Sequence, residues 1–106
     1  MSRIIPSALL ALIALSPAAA IAQTGEELIK KHGCIACHAI DKKVIGPAYV
    51  EVAAKYKGDP KAPALLAKKI KEGGSGVWGQ VPMPPNSQVS DADIKILVTY
   101  ILSLKK

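Results

Sequence analysis

Two cysteines and a histidine fall together at Cys34-Ile35-Ala36-Cys37-His38, and Met83 stands in the proline-rich stretch Val81-Pro82-Met83-Pro84-Pro85-Asn86. The first segment follows the C-x-x-C-H pattern through which a c-type haem (heme c) is attached covalently. If it coils helically, Cys34, Cys37 and His38 stand at i, i+3 and i+4 and share one face. Two thiols can then reach the two vinyl groups of one porphyrin while an imidazole lies beneath the iron. A C-x-x-C pair also suits a thioredoxin-like redox couple or half of a zinc site. Zinc is poorly served, because the only other soft or imidazole donors are His32 and the methionines.

Met83 is the only methionine apart from Met1. Prolines on both sides fix neighbouring φ angles and push the residue before each of them towards extended backbone. The thioether is therefore presented from a stiff loop, and His/Met coordination is a standard way to hold cytochrome c iron. The metal ligands expected from these residues are His38 and Met83. The plainer alternative for Met83 is a core side chain in a surface loop.

The first 22 residues read as a signal peptide. Met1-Ser2-Arg3 is a short positive start, Ile4 to Leu15 is mostly apolar, Ser16-Pro17 interrupts it, and Ala20-Ile21-Ala22 is a small-x-small cleavage site. An uncleaved anchor is the competing reading, but Pro6-Ser7 breaks an apolar run already short for the roughly 20 residues a span requires. Export to the bacterial periplasm suits the cysteines, since an oxidising compartment would close a bare pair into a disulfide unless both thiols were captured. Cleavage near Ala22 leaves residues 23–106 as one domain, with no internal repeat or linker. Its 13 basic against 8 acidic side chains leave a net charge of +5, since only Arg3 of the 14 is lost.

A chain so short builds a thin core and needs a staple. It has no further cysteine and no phenylalanine; a large apolar porphyrin would supply what is missing. A basic surface can steer acidic partners. Nucleic acid is not expected, for want of a binding motif and of aromatic residues.

Helical signals surround the two chemical segments. Thr24 to Glu27 reads as a capping box, with Thr24 capping and Glu27 reaching back. His32 reads as a solvated helix-end residue. Pro47 suits the first turn of a second helix running from Ala48 to about Lys57. Gly58-Asp59-Pro60 closes that helix and opens a third, which Gly73-Gly74 stops. Tyr49 and Tyr56 read as packing residues. Trp78, alone among the glycines of residues 73–79, either packs on the domain or donates its indole N–H to a buried anion. Ser90 caps the clearest helix, with Ile94, Leu97, Val98, Ile101 and Leu102 on one face.

Taken with Gly46-Pro47-Ala48-Tyr49 and Gly76-Val77-Trp78-Gly79, the two chemical segments resemble the small class I bacterial cytochromes c of the cytochrome c-551/c-552 (cytochrome c8) group, over essentially all of residues 23–106. The resemblance implies an all-α fold, about four helices around one haem attached through Cys34 and Cys37, with His38 and Met83 on opposite faces of the iron. It implies that the Pro47 carbonyl accepts from the ring N–H of His38, that Trp78 donates to a propionate, and that Asn86 lies near the Met83 sulfur and tunes it. Where relatives often carry an arginine that reaches a propionate, this chain has Lys69, which lacks the planar fork. The implied function is that of a soluble, monomeric periplasmic electron carrier rather than an enzyme. Its partners would be redox proteins such as a nitrite reductase or a terminal oxidase.

Overall fold

The computed structural model describes residues 23–106; the expected signal peptide lies outside them. Four α-helices follow in order: α1 Gly25–Lys31, α2 Tyr49–Lys55, α3 Ala62–Glu72 and α4 Asp91–Ser103. A single 3-10 turn, Cys34–Ala36, lies between α1 and α2. No strand forms among the described residues, only the isolated antiparallel bridges His38–Lys43 and Gly74–Met83.

The last helix organises the rest. α4 packs against α1, α2 and α3, because its apolar stripe is wide enough to face all three. Ile94, Leu97, Val98 and Ile101 are buried as their spacing predicts, while Leu102 is only partly covered. Ser90 accepts from the Asp93 amide at 3.1 Å, and Asp91 and Asp93 place negative charge at the positive end of the helix. Leu28 of α1, Leu97 of α4 and Val89 are almost wholly inaccessible and form the centre of the core. Leu97→Ala should cost about 2 to 5 kcal/mol by the usual cavity penalty; urea unfolding of the haem-loaded protein reads this as a lower midpoint with an unchanged slope.

α1 is capped from one side only: Thr24 Oγ1 accepts from the Glu27 amide at 3.2 Å, and no return bond from Glu27 is made. A Cβ on Gly25 would collide with the side chain of Tyr100, so the absence of a side chain lets α1 approach α4 closely. At the other end of α1, His32 is not solvated. Its Nε2 lies 3.0 Å from Asp93 Oδ2 and its side chain is only 12 % exposed. The residue thus ties the end of α1 to the start of α4.

Two helix starts differ from the sequence expectation. Pro47 precedes α2 instead of opening it, and Ala48 is the cap, with no side-chain hydrogen bond to offer. The exposed amides of that first turn are satisfied by main chain instead: Tyr49 N donates to Ala39 O at 3.0 Å and Val50 N to Ile40 O at 2.9 Å. α3 begins at Ala62, with Pro63 in its first turn. Asp59 still does a cap's work, since its Oδ1 accepts from the Lys61 amide at 2.8 Å while its carbonyl accepts from Ala62 at 3.2 Å. Together these bonds make a tighter turn before the regular helix. Beyond α4, Lys106 pairs with Glu51 at 2.9 Å; both side chains are about half exposed, so the pair adds little stability.

Candidate haem site

Gly33, at φ 72°, ends the path of α1 and releases the chain into the 3-10 turn. The Cys37 and His38 amides both donate to the Cys34 carbonyl, at 3.1 and 3.0 Å, so the motif coils on itself as its spacing requires. The segment after His38 then folds back: Ile45 N and Gly46 N both donate to the Cys37 carbonyl, at 3.1 and 2.7 Å. These bonds, with the Ala39 and Ile40 bonds to α2, fix where His38 stands.

The imidazole is held by three neighbours. Its Nδ1 lies 2.8 Å from the Pro47 carbonyl, as expected of Pro47. A carbonyl only accepts, so Nδ1 carries the proton and Nε2 keeps its lone pair for a metal. The Tyr49 ring stacks on it at 4.9 Å between centroids and 19° between planes. Gly46 completes the fit, because a Cβ there would collide with the ring. Gly46→Ala should therefore displace His38, seen as a changed visible spectrum in the ferric protein and a loss of about 2 kcal/mol or more of stability.

Met83 comes from the segment that follows α3. Gly73 ends α3 with φ 70° and ψ −158°, a conformation reserved for glycine. Gly74 N donates to Met83 O at 3.0 Å, and Met83 N returns to Gly74 O at 2.8 Å. The Asn86 amide donates to Ile70 O at 2.9 Å, and its side-chain Nδ2 donates to Ile70 O at 3.2 Å and to Pro84 O at 3.3 Å. The strap carrying Met83 is thus bound to the end of α3 largely by main-chain atoms.

His38 and Met83 line one cleft, together with Cys37, Pro47, Tyr49, Lys69 and Trp78. Its empty space, open mouth included, is about 1130 Å³. The floor is apolar, with Val52, Leu66, Ile70 and Ile101. Ile45, Val77, Trp78 and Val81 stand at the cleft 41 to 67 % exposed, an uncovered apolar surface that calls for a partner. The only charged side chains of the lining are Lys43 and Lys69, both cationic. A flat apolar group bearing carboxylates fits such walls. Trp78 is presented by a turn in which Gly76 N donates to Gly79 O at 2.8 Å, and Lys55 Nζ lies 5.7 Å from the centre of its ring.

Neither cysteine is in a disulfide. Burial pushes the Cys34 thiol above its ordinary pKa, against the opposing effect of the Tyr49 hydroxyl beside it. Burial likewise raises the Tyr49 phenol, which stays protonated. A redox-active C-x-x-C needs a lowered thiol pKa, so Cys34 is set the wrong way for that chemistry. Among the described residues no group of three or more His, Cys, Asp or Glu side chains is arranged to hold a metal ion, which leaves the zinc reading without ligands.

Sequence reading missed the steric duties of Gly46 and Gly73 and the stacking of Tyr49. The only local signals there are the dipeptides Gly46-Pro47 and Gly73-Gly74, which read equally well as ordinary helix boundaries.

Comparison with known proteins agrees with this geometry. The family model described as Cytochrome c matches residues 22–105. The chain is 56 % identical over 87 residues to cytochrome c-552 of Nitrosomonas europaea, covering 82 % of this chain and 84 % of that protein. It is 52 % identical over 103 residues to cytochrome c-551 of Pseudomonas aeruginosa, covering 94 % and 98 % respectively. The crystal structure of wild-type Nitrosomonas europaea cytochrome c552 superposes with a TM-score of 0.73 at 57 % identity, covering 76 % of this chain and 99 % of that one. With its four helices, and with Cys34 and Cys37 close together in one turn as covalent attachment of haem c requires, the chain belongs to the cytochrome c family.

Proposed function

We propose that this cytochrome c electron carrier works in the periplasm with His38 and Met83 as the two axial ligands of its iron. The observation that carries the reading is that they line one cleft although they come from separate segments of the chain. His38 comes from the segment before α2, with Nε2 left free, and Met83 comes from the strap after α3. When bound, the haem supplies one-electron exchange between ferric and ferrous iron.

The chain's own residues set the terms of that exchange. Pro47 holds the His38 tautomer. The soft Met83 thioether favours the ferrous state over a second nitrogen donor and so raises the potential. Asn86 serves Met83 by pinning its strap, both N–H bonds of its amide being engaged by carbonyls. Trp78 and Lys69 stand at the cleft where they can meet propionates, Lys69 as a point charge and not as a fork. The exposed Ile45, Val77 and Val81, with Lys43 beside the mouth, suit brief docking with an acidic redox protein. A nitrite reductase or a terminal oxidase would be such a partner.

No helix among the described residues is long and apolar enough to cross a membrane. The exported protein should begin at Gln23, which N-terminal sequencing and intact mass of the periplasmic fraction check. That mass should exceed the mass of residues 23–106 by one haem; the bare polypeptide mass would point back to a free thiol pair. With both axial positions filled, the ferrous protein should bind carbon monoxide slowly and incompletely at neutral pH. Rapid, complete binding would show an open iron and place the protein among gas-binding or catalytic cytochromes.

A further inference from the structure

Tyr49 is placed to do more than fill space. It is the first residue of α2, and its amide is pinned to Ala39 O at 3.0 Å, so the ring cannot slide along the helix without breaking the link that holds the His38 segment. Its side chain is buried, and its ring lies nearly parallel to the imidazole at 4.9 Å and 19°. The flat face of one buried side chain therefore lies along the imidazole proposed to bind iron.

The hydrogen bond to Pro47 fixes the direction in which Nδ1 points, yet a single hydrogen bond is an axle about which a ring can still turn. A flat aromatic face packed against the imidazole removes that rotation, since tilting would open a gap or force a clash. Gly46 closes a further side by main-chain contact.

We propose that Tyr49 is a positioning residue that sets the rotational orientation of the His38 ring plane by stacking its flat face on it. The proposal rests on His38 being an iron ligand. With Met83 bound in an unchanged orientation, the imidazole plane would govern how its π orbital overlaps the iron d orbitals, and hence how unpaired spin is distributed over the porphyrin of the ferric protein. Orientation is thus readable without any turnover assay.

The test compares wild type with Tyr49→Phe, Tyr49→Leu and Tyr49→Met as haem-loaded proteins, by proton NMR of the four haem methyl groups in the ferric state. Nitrogen-15 labelling of histidine first establishes that His38 is bound to iron. Tyr49→Phe keeps the flat face and should preserve the order and spread of the methyl shifts. Tyr49→Leu removes the face and should change that order or collapse the spread, with Met83 still bound. Tyr49→Met, of similar volume but longer and unbranched, gives the same comparison if the leucine variant does not fold. An unchanged methyl pattern in a folded ringless variant, with His38 bound, overturns the positioning role and leaves the ligand assignment standing. A His38 that is not bound in wild type overturns both.

Discussion

With Met83 as the proposed sixth ligand, Met83→Ala should keep its haem, leave the iron open on that side and bind carbon monoxide rapidly when reduced. Attachment survives because Cys34 and Cys37 lie in the separately stitched segment around the 3-10 turn, and that segment's hydrogen bonds do not involve Met83. The strap also survives in outline, because Met83 contributes its backbone N and O to the bridge with Gly74 and alanine keeps both. Only the thioether is removed. Water or nothing at all then faces the iron, the ferrous state loses its soft donor, and the midpoint potential falls. A drop on the order of 100 mV is reasonable against the roughly 0.8 V that axial ligation spans. Potentiometry and the visible spectrum of the ferric protein check it; an unchanged potential and spectrum would mean that another side chain is the ligand.

Gly73→Ala should be nearly as damaging although glycine offers no group that could bind iron. The residue sits at φ 70° and ψ −158°, where any side chain costs about 1 to 3 kcal/mol. Its Cβ would also collide with the Met83 carbonyl, with Pro85 N at 2.8 Å and with Pro84 C at 2.9 Å, all main-chain atoms that cannot rotate away. The strap must lift from α3, and the thioether moves with it. Gly58→Ala is the proper comparison. Gly58 also has positive φ, 75°, but nothing stands within 4 Å of its Cβ position. It should lose only about 1 kcal/mol and keep ligation intact. Thermal unfolding gives both stabilities, and the iron–thioether charge-transfer band reports ligation. Equal effects in the two variants would show that conformation alone, and not the strap contact, explains Gly73.

Much of the site was legible in the sequence because its signals are local. Cys34, Cys37 and His38 occupy one turn, and Pro82 and Pro84 mark Met83 as the tip of a stiff loop without reference to distant residues. α4 was legible for the same reason, since an apolar face at i, i+3, i+4 and i+7 needs no knowledge of what covers it. What could not be read depends on partners far along the chain. Ala48 is a poor cap by composition, and only the carbonyls of Ala39 and Ile40 explain why α2 can start there. His32 looked solvated until Asp93, 61 positions away, was brought against it. Gly46 and Gly73 look like ordinary turn residues until the imidazole and the strap are set beside them. Pro47 was placed correctly for its carbonyl and wrongly for its helix: the bond to His38 depends on its carbonyl, whereas the preference for a first helical turn is only a tendency that tertiary bonding overrode.

The strap that presents Met83 is fastened mainly through atoms every residue possesses, at Gly74, Met83, Ile70 and Pro84, while Ser75 and Gln80 stand exposed at the edge of the cleft. How Met83 is held and what the rim shows to solvent are therefore partly separable traits. Positions such as Ser75 and Gln80 can be rewritten, by drift or by design, to greet a different redox partner with the strap still fastened, provided Trp78 keeps its place at the cleft.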